Sequence, residues 1–182
     1  MNRFDGARLG WAPVALFVIV ADQLTKHWAV NELVDRDIDI FWTLRFNLAY
    51  NTGMAFSRGA NMGPIIGVVA LVVVVVLLLS LKRQPGRLTD VAVGMIVGGA
   101  IGNVIDRLFR QEGWLRGGVV DFIDFQWFPI FNIADIGVTV GGALLVLASW
   151  LVGRAPADEP DTNSPATNSP GTNAPDPNSD VS

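Results

Sequence analysis

Four long apolar runs set the limits on what this chain can fold into: Trp11 to Val30, Ile65 to Leu81, Val91 to Ile105 and Phe131 to Val152. A helix crossing about 30 Å of hydrocarbon needs roughly 20 residues. The second and fourth runs meet that length as they stand. The third does so once Thr89 to Leu108 are counted, and the first if Asp22, Gln23 and Lys26 are accepted inside a span. All six tryptophans (Trp11, Trp28, Trp42, Trp114, Trp127 and Trp150) fall near the ends of these runs, where amphipathic rings collect at membrane interfaces. The pattern predicts an all-α polytopic membrane protein with four transmembrane helices. Trp11 to Ala21 also has the look of a signal-peptide core behind Arg3 and Arg8. No small-x-small cleavage pattern follows it, so the segment is read as a retained span.

The remaining composition removes whole classes of chemistry. Charged residues make up only 16% of the 182, against about 25% in soluble domains. Cysteine is absent and His27 is the single histidine, so thiolate nucleophiles, iron–sulfur clusters and two-histidine metal sites are excluded; no metal and no cofactor are expected. The net charge of −4 is concentrated at one end. Residues 155–182 hold five of the 17 acids (Asp158, Glu159, Asp161, Asp176 and Asp180) and none of the 13 bases. Neither part has the basic surplus that nucleic-acid binding needs. That same segment carries six prolines and the near-repeats T-N-S-P, T-N-S-P and T-N-A-P. It cannot bury enough apolar surface to offset ordering entropy, and a disordered tail is expected there. Residues 1–154 form the expected membrane domain.

Lys82, Arg83 and Arg87 crowd the connection between the second and third runs, and Arg3 and Arg8 precede the first. Basic density of this kind marks cytoplasmic segments. It favours an N-in, C-in arrangement, although Arg36, Arg45, Arg58, Arg107, Arg110 and Arg116 bring the raw count on the other side close to a tie. Residues 37–48 alternate Ile38, Ile40, Trp42, Leu44, Phe46 and Leu48 with mostly polar neighbours, the period of a half-buried strand. Val119 to Phe128 is a candidate second extended segment. Together they predict a small extracytoplasmic β element lying at the membrane surface.

Ionisable groups inside spans are costly and mark candidate sites. Asp22 and Lys26 are four apart on one helical face. Asn51-Thr52-Gly53 precedes the second span, with Asn51 and Gly53 suited to a turn and Asn51 also to a ligand. Gly94, Gly98 and Gly102 form a close-packing face, and Asn103, Asp106 and Arg107 follow on one face at its end. Asp121 and Asp124 lie among aromatics, and Asn132 and Asp135 open the fourth span, where a helix N-terminus favours negative charge. Simple helix capping is the plainer reading of Asp135 and a structural pair with Arg107 that of Asp106, but capping does not explain Asp121. The second span has no ionisable residue and reads as a packing helix. With four alternating spans, every polar cluster falls on one side. Two aspartates sharing a proton are the remaining hydrolytic option: the ionised one activates water and the protonated one polarises a carbonyl. Asp121 and Asp135 are the best pair. A Ser57–Lys26 dyad lacks an activating context. A proton-coupled transporter using Asp22, Lys26 and Asp135 as a relay, and a non-catalytic lipid-binding or assembly protein, are the competing readings.

Five ordered motifs carry a resemblance: Asp22-Gln23-Leu24-Thr25-Lys26, Asn51-Thr52-Gly53-Met54-Ala55-Phe56, Gly102-Asn103-Val104-Ile105-Asp106-Arg107, Val120-Asp121-Phe122 and Phe131-Asn132-Ile133-Ala134-Asp135. Over about residues 8–152 the chain resembles the bacterial lipoprotein signal peptidases (signal peptidase II), membrane aspartic proteases. The resemblance implies that Asp121 and Asp135 are the catalytic dyad. It further implies that Asp22, Lys26, Asn51, Gly53, Asn103, Asp106, Arg107 and Asn132 support the site or the substrate. That substrate would be a diacylglyceryl-modified prolipoprotein cleaved just before its lipidated cysteine, at the outer face of the bacterial cytoplasmic membrane. Membrane lipid is the other expected partner, nucleic acid is not one, and a monomer is expected. Ile136 and Met54 depart from the family's commoner residues without removing a chemical group from the dyad.

Overall fold

The computed structural model describes residues 9–53, 63–80, 86–110 and 115–154. The expectations for Met54 to Phe56, Ser57, Lys82, Arg83, Trp114, the N-terminal arginines and the 155–182 tail lie outside the described residues. Four long helices appear where the apolar runs predict them: α1 (Trp11–Glu32), α2 (Gly63–Ser80), α3 (Arg87–Phe109) and α4 (Ile133–Gly153). Among the described residues, α3 and α4 are long and apolar enough to cross a membrane, while the apolar length of α2, Pro64–Leu79, is shorter. Helix α1 has 22 residues, about 33 Å at 1.5 Å per residue, but keeps Asp22 and Lys26 inside it, both buried.

Helix α3 is the hub, packed against α4, α1 and α2. Its glycines let backbones approach. A methyl group on Gly94 or Gly98 would meet the carbonyl oxygen of Trp11 or Ala15 in α1, and one on Gly99 would meet that of Ala134 in α4. Small residues at a helix crossing replace side-chain bulk with close backbone contact.

Three antiparallel strands, β1 (Ile38–Phe41), β2 (Leu44–Asn51) and β3 (Val119–Asp124), form a sheet in the order β1-β2-β3. The period-two run at 37–48 is therefore not one strand. It breaks at Trp42, whose φ of 52° reverses the chain, and the second arm continues to Asn51. The other extended segment ends at Asp124, short of Phe128. On β3, Val120 and Phe122 pack with Ala29 of α1 and with Leu33, its C-cap, so the alternating Asp121 projects away from that contact. Trp11, Trp28 and Trp150 lie in the terminal turns of α1 and α4, but Trp42 and Trp127 sit at the sheet and not at helix ends.

Candidate active site

Helix α4 starts with a capping box. Asn132, the N-cap, accepts the Asp135 backbone N–H on Oδ1 at 3.0 Å, and Asp135 Oδ2 accepts the Asn132 N–H at 3.3 Å. A third free amide of that first turn, Ala134 N–H, is taken by Asp22 Oδ1 from α1 at 2.9 Å. Unsatisfied N–H groups at a helix start need such acceptors. Capping thus explains one oxygen of Asp135. The other, Oδ1, accepts from Asn103 Nδ2 at 2.9 Å.

Asn103 is held in that orientation from behind. Its Oδ1 accepts from Lys26 Nζ at 2.9 Å and from Asn132 Nδ2 at 3.1 Å. A flipped amide would set its NH2 against both donors. Lys26 in turn bridges Asp22 Oδ2 at 2.8 Å and Asp106 Oδ2 at 2.9 Å, with all three side chains fully buried. Asp106 also accepts from Arg110 Nε at 2.7 Å and from the Val120 backbone N–H at 3.1 Å, which ties β3 to α3. The expected pairing of Asp106 with its neighbour Arg107 is replaced by these longer-range partners. Gln23 completes the layer, donating to Asp22, Asp106 and the Gly102 carbonyl.

Asp121 comes from the sheet. Its Oδ1 accepts from Asn132 Nδ2 at 2.6 Å and its Oδ2 from Asn51 Nδ2 at 3.2 Å. Asn51 is set by an Asx turn, its Oδ1 accepting the Gly53 N–H at 3.2 Å, the arrangement that Asn and Gly favour. Burial and the charge of Asp135 push the Asp121 carboxyl up to about 7, against the pull of its two amide donors. Asp124 belongs elsewhere. Although burial opposes it, hydrogen bonds from Arg45 Nε at 2.8 Å, the Gln126 N–H at 2.6 Å and Asn47 Nδ2 at 3.3 Å hold its carboxyl below the usual range.

Asn51, Gly53, Asn103, Arg107, Asp121 and Asp135 line one cavity of about 380 Å3. Asp22, Lys26, Asp106 and Asn132 lie behind that wall and position it. Arg107 is only 4% exposed, and its Nη1 is buried without a hydrogen-bond partner among the described residues. The far wall is apolar, and Ile66, Gly67, Ala70 and Val73 of α2 supply much of it. The helix read from sequence as simple packing is thus a wall of the cavity. Only the lack of charge along α2 signalled an apolar surface, and nothing local told a cavity wall from a packed face.

Fold and site together define a small helical membrane enzyme. Residues 14–151 match the family model described as Signal peptidase (SPase) II. A lipoprotein signal peptidase of Shewanella halifaxensis is 38% identical over 157 residues, spanning 80% of this chain and 89% of that protein. One from Mycobacterium tuberculosis is 39% identical over 153 residues, spanning 80% and 76%. A bacterial membrane enzyme solved by the in meso method at 2.3 Å resolution superposes with a TM-score of 0.70 at 26% identity, covering 86% of this chain and 95% of that one. The chain belongs to the signal peptidase II family and is an aspartic endopeptidase. The transporter alternative is not supported: these relatives are signal peptidases.

Proposed function

We propose that Asp121 and Asp135 act as one acid–base unit, hydrolysing the peptide bond just before the diacylglyceryl-modified cysteine of a prolipoprotein. Family membership carries the activity, removal of signal peptides from lipoproteins. The observation that supports the dyad is that two carboxylates from different elements line one cavity and both accept from Asn132, Asp121 from its side-chain amide and Asp135 from its backbone N–H. Their surroundings are unequal. Asp135 sits in the first turn of a helix, favourable to charge, with one donor on each oxygen. Asp121 is buried, and carries the shared proton because two close carboxylates do not both ionise readily.

Ionised Asp135 takes a proton from water as the water oxygen attacks the scissile carbonyl carbon. Asp121 passes its proton to the carbonyl oxygen, giving a neutral tetrahedral diol. Asp135 then protonates the leaving nitrogen, the C–N bond breaks, and one diol hydroxyl returns its proton to Asp121. The free Nη1 of Arg107 supplies a donor to a substrate carbonyl, and the α2 wall offers an apolar surface for an acyl chain. Around this centre we assign four membrane-spanning helices with N-in, C-in topology, and a site and sheet on the extracytoplasmic side. The working unit is a monomer of residues 1–154 in lipid, with 155–182 as a tail and no nucleic-acid partner.

Variants of the dyad test the reading. Asp121→Asn and Asp135→Asn each remove nearly all cleavage of a lipidated substrate peptide, and the double variant loses little more, as expected of groups acting as a unit. Asp124→Asn is far milder. Folded Asp135→Asn enzyme cleaving at near the parent rate refutes the assignment.

A further inference from the structure

The two ends of the sheet do different work. At one end Asn51 opposes Val119 and Ala49 opposes Asp121, beside the cavity. At the other, Arg45 opposes Asp124, and their 2.8 Å ion pair brings two turns side by side: the β1–β2 tip and the Phe125 to Phe128 turn after β3. Both turns present aromatic rings outward. Phe41 is 78% exposed, Trp42 87% and Trp127 71%, with Phe128 half exposed beside it. Both also use left-handed backbone at a residue other than glycine, Trp42 at φ 52° and Gln126 at φ 67°. For a bulky residue that conformation is uncommon and costly. Exposed sheet edges and tips in water are ordinarily blunted with polar or charged residues.

We propose that this aromatic tip is a membrane anchor, its four rings seated among the headgroups and upper acyl chains of the leaflet that the site faces. The proposal rests on the membrane arrangement given under Proposed function. Continuity with the bundle's lateral surface points to lipid as the occupant. Trp28, in the last turns of α1 and itself partly exposed, meets Phe46 and Phe122 of the sheet edge-on, with ring centroids 5.3 and 6.1 Å apart. The tip thus begins within a few residues of a tryptophan at a helix end, and indole rings favour that depth. Charge argues for uncharged insertion over attraction to anionic lipid. The acids Asp35, Asp37, Asp39 and Asp124 outnumber Arg36 and Arg45 around the tip. Strand β2 runs unbroken from Leu44 beside the tip to Asn51 at the cavity. Its eight residues span about 25 Å and link the depth of the anchor to the position of the site.

The absence of cysteine makes labelling of the full chain clean. A nitroxide on Trp42→Cys or Trp127→Cys in phosphatidylcholine vesicles should be reached by oxygen and shielded from a water-soluble nickel reagent. The same label on Asp39→Cys should show the reverse. Replacing Phe41, Trp42, Trp127 and Phe128 together by serine should raise KM for a lipidated substrate in vesicles about tenfold, with kcat retained and cleavage in detergent micelles unchanged. A nitroxide on Trp42→Cys as water-accessible as one on Asp39→Cys overturns the anchor, and so does accessibility that changes with the anionic-lipid fraction. Efficient disulfide dimers through Trp42→Cys assign the tip to a second copy and overturn it too. Loss of cleavage in detergent by the dyad variants bears on the catalytic reading alone.

Discussion

Asp121→Asn is expected to inactivate the enzyme and, above neutral pH, to stabilise it. In the fold the Asp121 carboxyl is held at about 7 instead of its ordinary 3.8. At about 1.4 kcal/mol per pH unit, the folded protein penalises the ionised form by ~4 kcal/mol relative to the unfolded chain. Between those two values the folded state binds more protons than the unfolded one, so stability falls as pH rises from about 4 to about 7 and then levels off. Asparagine removes the charge and keeps the shape. It can accept on one oxygen only, so one of the donors from Asn132 and Asn51 is left facing an amide N–H, at a cost of about 1–2 kcal/mol. The net gain at pH 8 is roughly 2–3 kcal/mol, and it should vanish at pH 4.5. Unfolding in mixed micelles followed by near-ultraviolet circular dichroism at the two pH values reads this directly. A variant whose stability runs parallel to the parent protein across that range would refute burial and the Asp135 charge as the source of the raised carboxyl.

Gly102→Ala places a methyl group 2.6 Å from Asp22 Oδ2 and should cost about 1–3 kcal/mol by overpacking, with activity lost as the Lys26 layer shifts. Gly142→Ala, in the same fold but with open space around it, should instead stabilise by about 0.5–1 kcal/mol; equal effects in thermal unfolding would contradict the packing argument. Reporter fusions after Lys82 and after Trp114 should read cytoplasmic and extracytoplasmic respectively, and the opposite pattern overturns the orientation. A chain ending at Gly153 should cleave lipidated peptide at the full-length rate; folded but inactive protein would give the tail a catalytic part.

The helices were legible because a continuous apolar run is a local signal, and each boundary moved by only a few residues. The candidate residues singled out in the sequence converge on one cavity and the layer behind it, but their wiring could not be read from the sequence. Asp22 accepts from Ala134, 112 positions away, and Lys26 meets Asp106 across two helices. No periodicity encodes such pairings. The neighbours Asp106 and Arg107 invited a local ion pair, whereas adjacent helix positions point about 100° apart, and one joins the buried layer while the other lines the cavity. The hairpin escaped for a related reason. Its turn is made by Trp42 and Thr43, not by the Asn-Gly or Asp-Gly pair that usually announces one.

The buried Asp22–Lys26–Asp106 layer also bears on how the protein is made. In the four-span arrangement proposed above, α1 enters the membrane first, carrying the buried charges Asp22 and Lys26, and a charged side chain at the centre of a lone span costs roughly 2.5–3.5 kcal/mol. They can offset one another within α1, but the partner that completes the cluster belongs to α3, and the N–H that engages Asp22 belongs to α4. On that arrangement α1 is expected to be held stably in the bilayer only once α3 and α4 have joined it. A truncated chain ending before α3 should be extracted by alkaline carbonate far more readily than the whole protein. The charges behind the cavity wall are thus expected to make membrane assembly of the proposed four-span chain a late step.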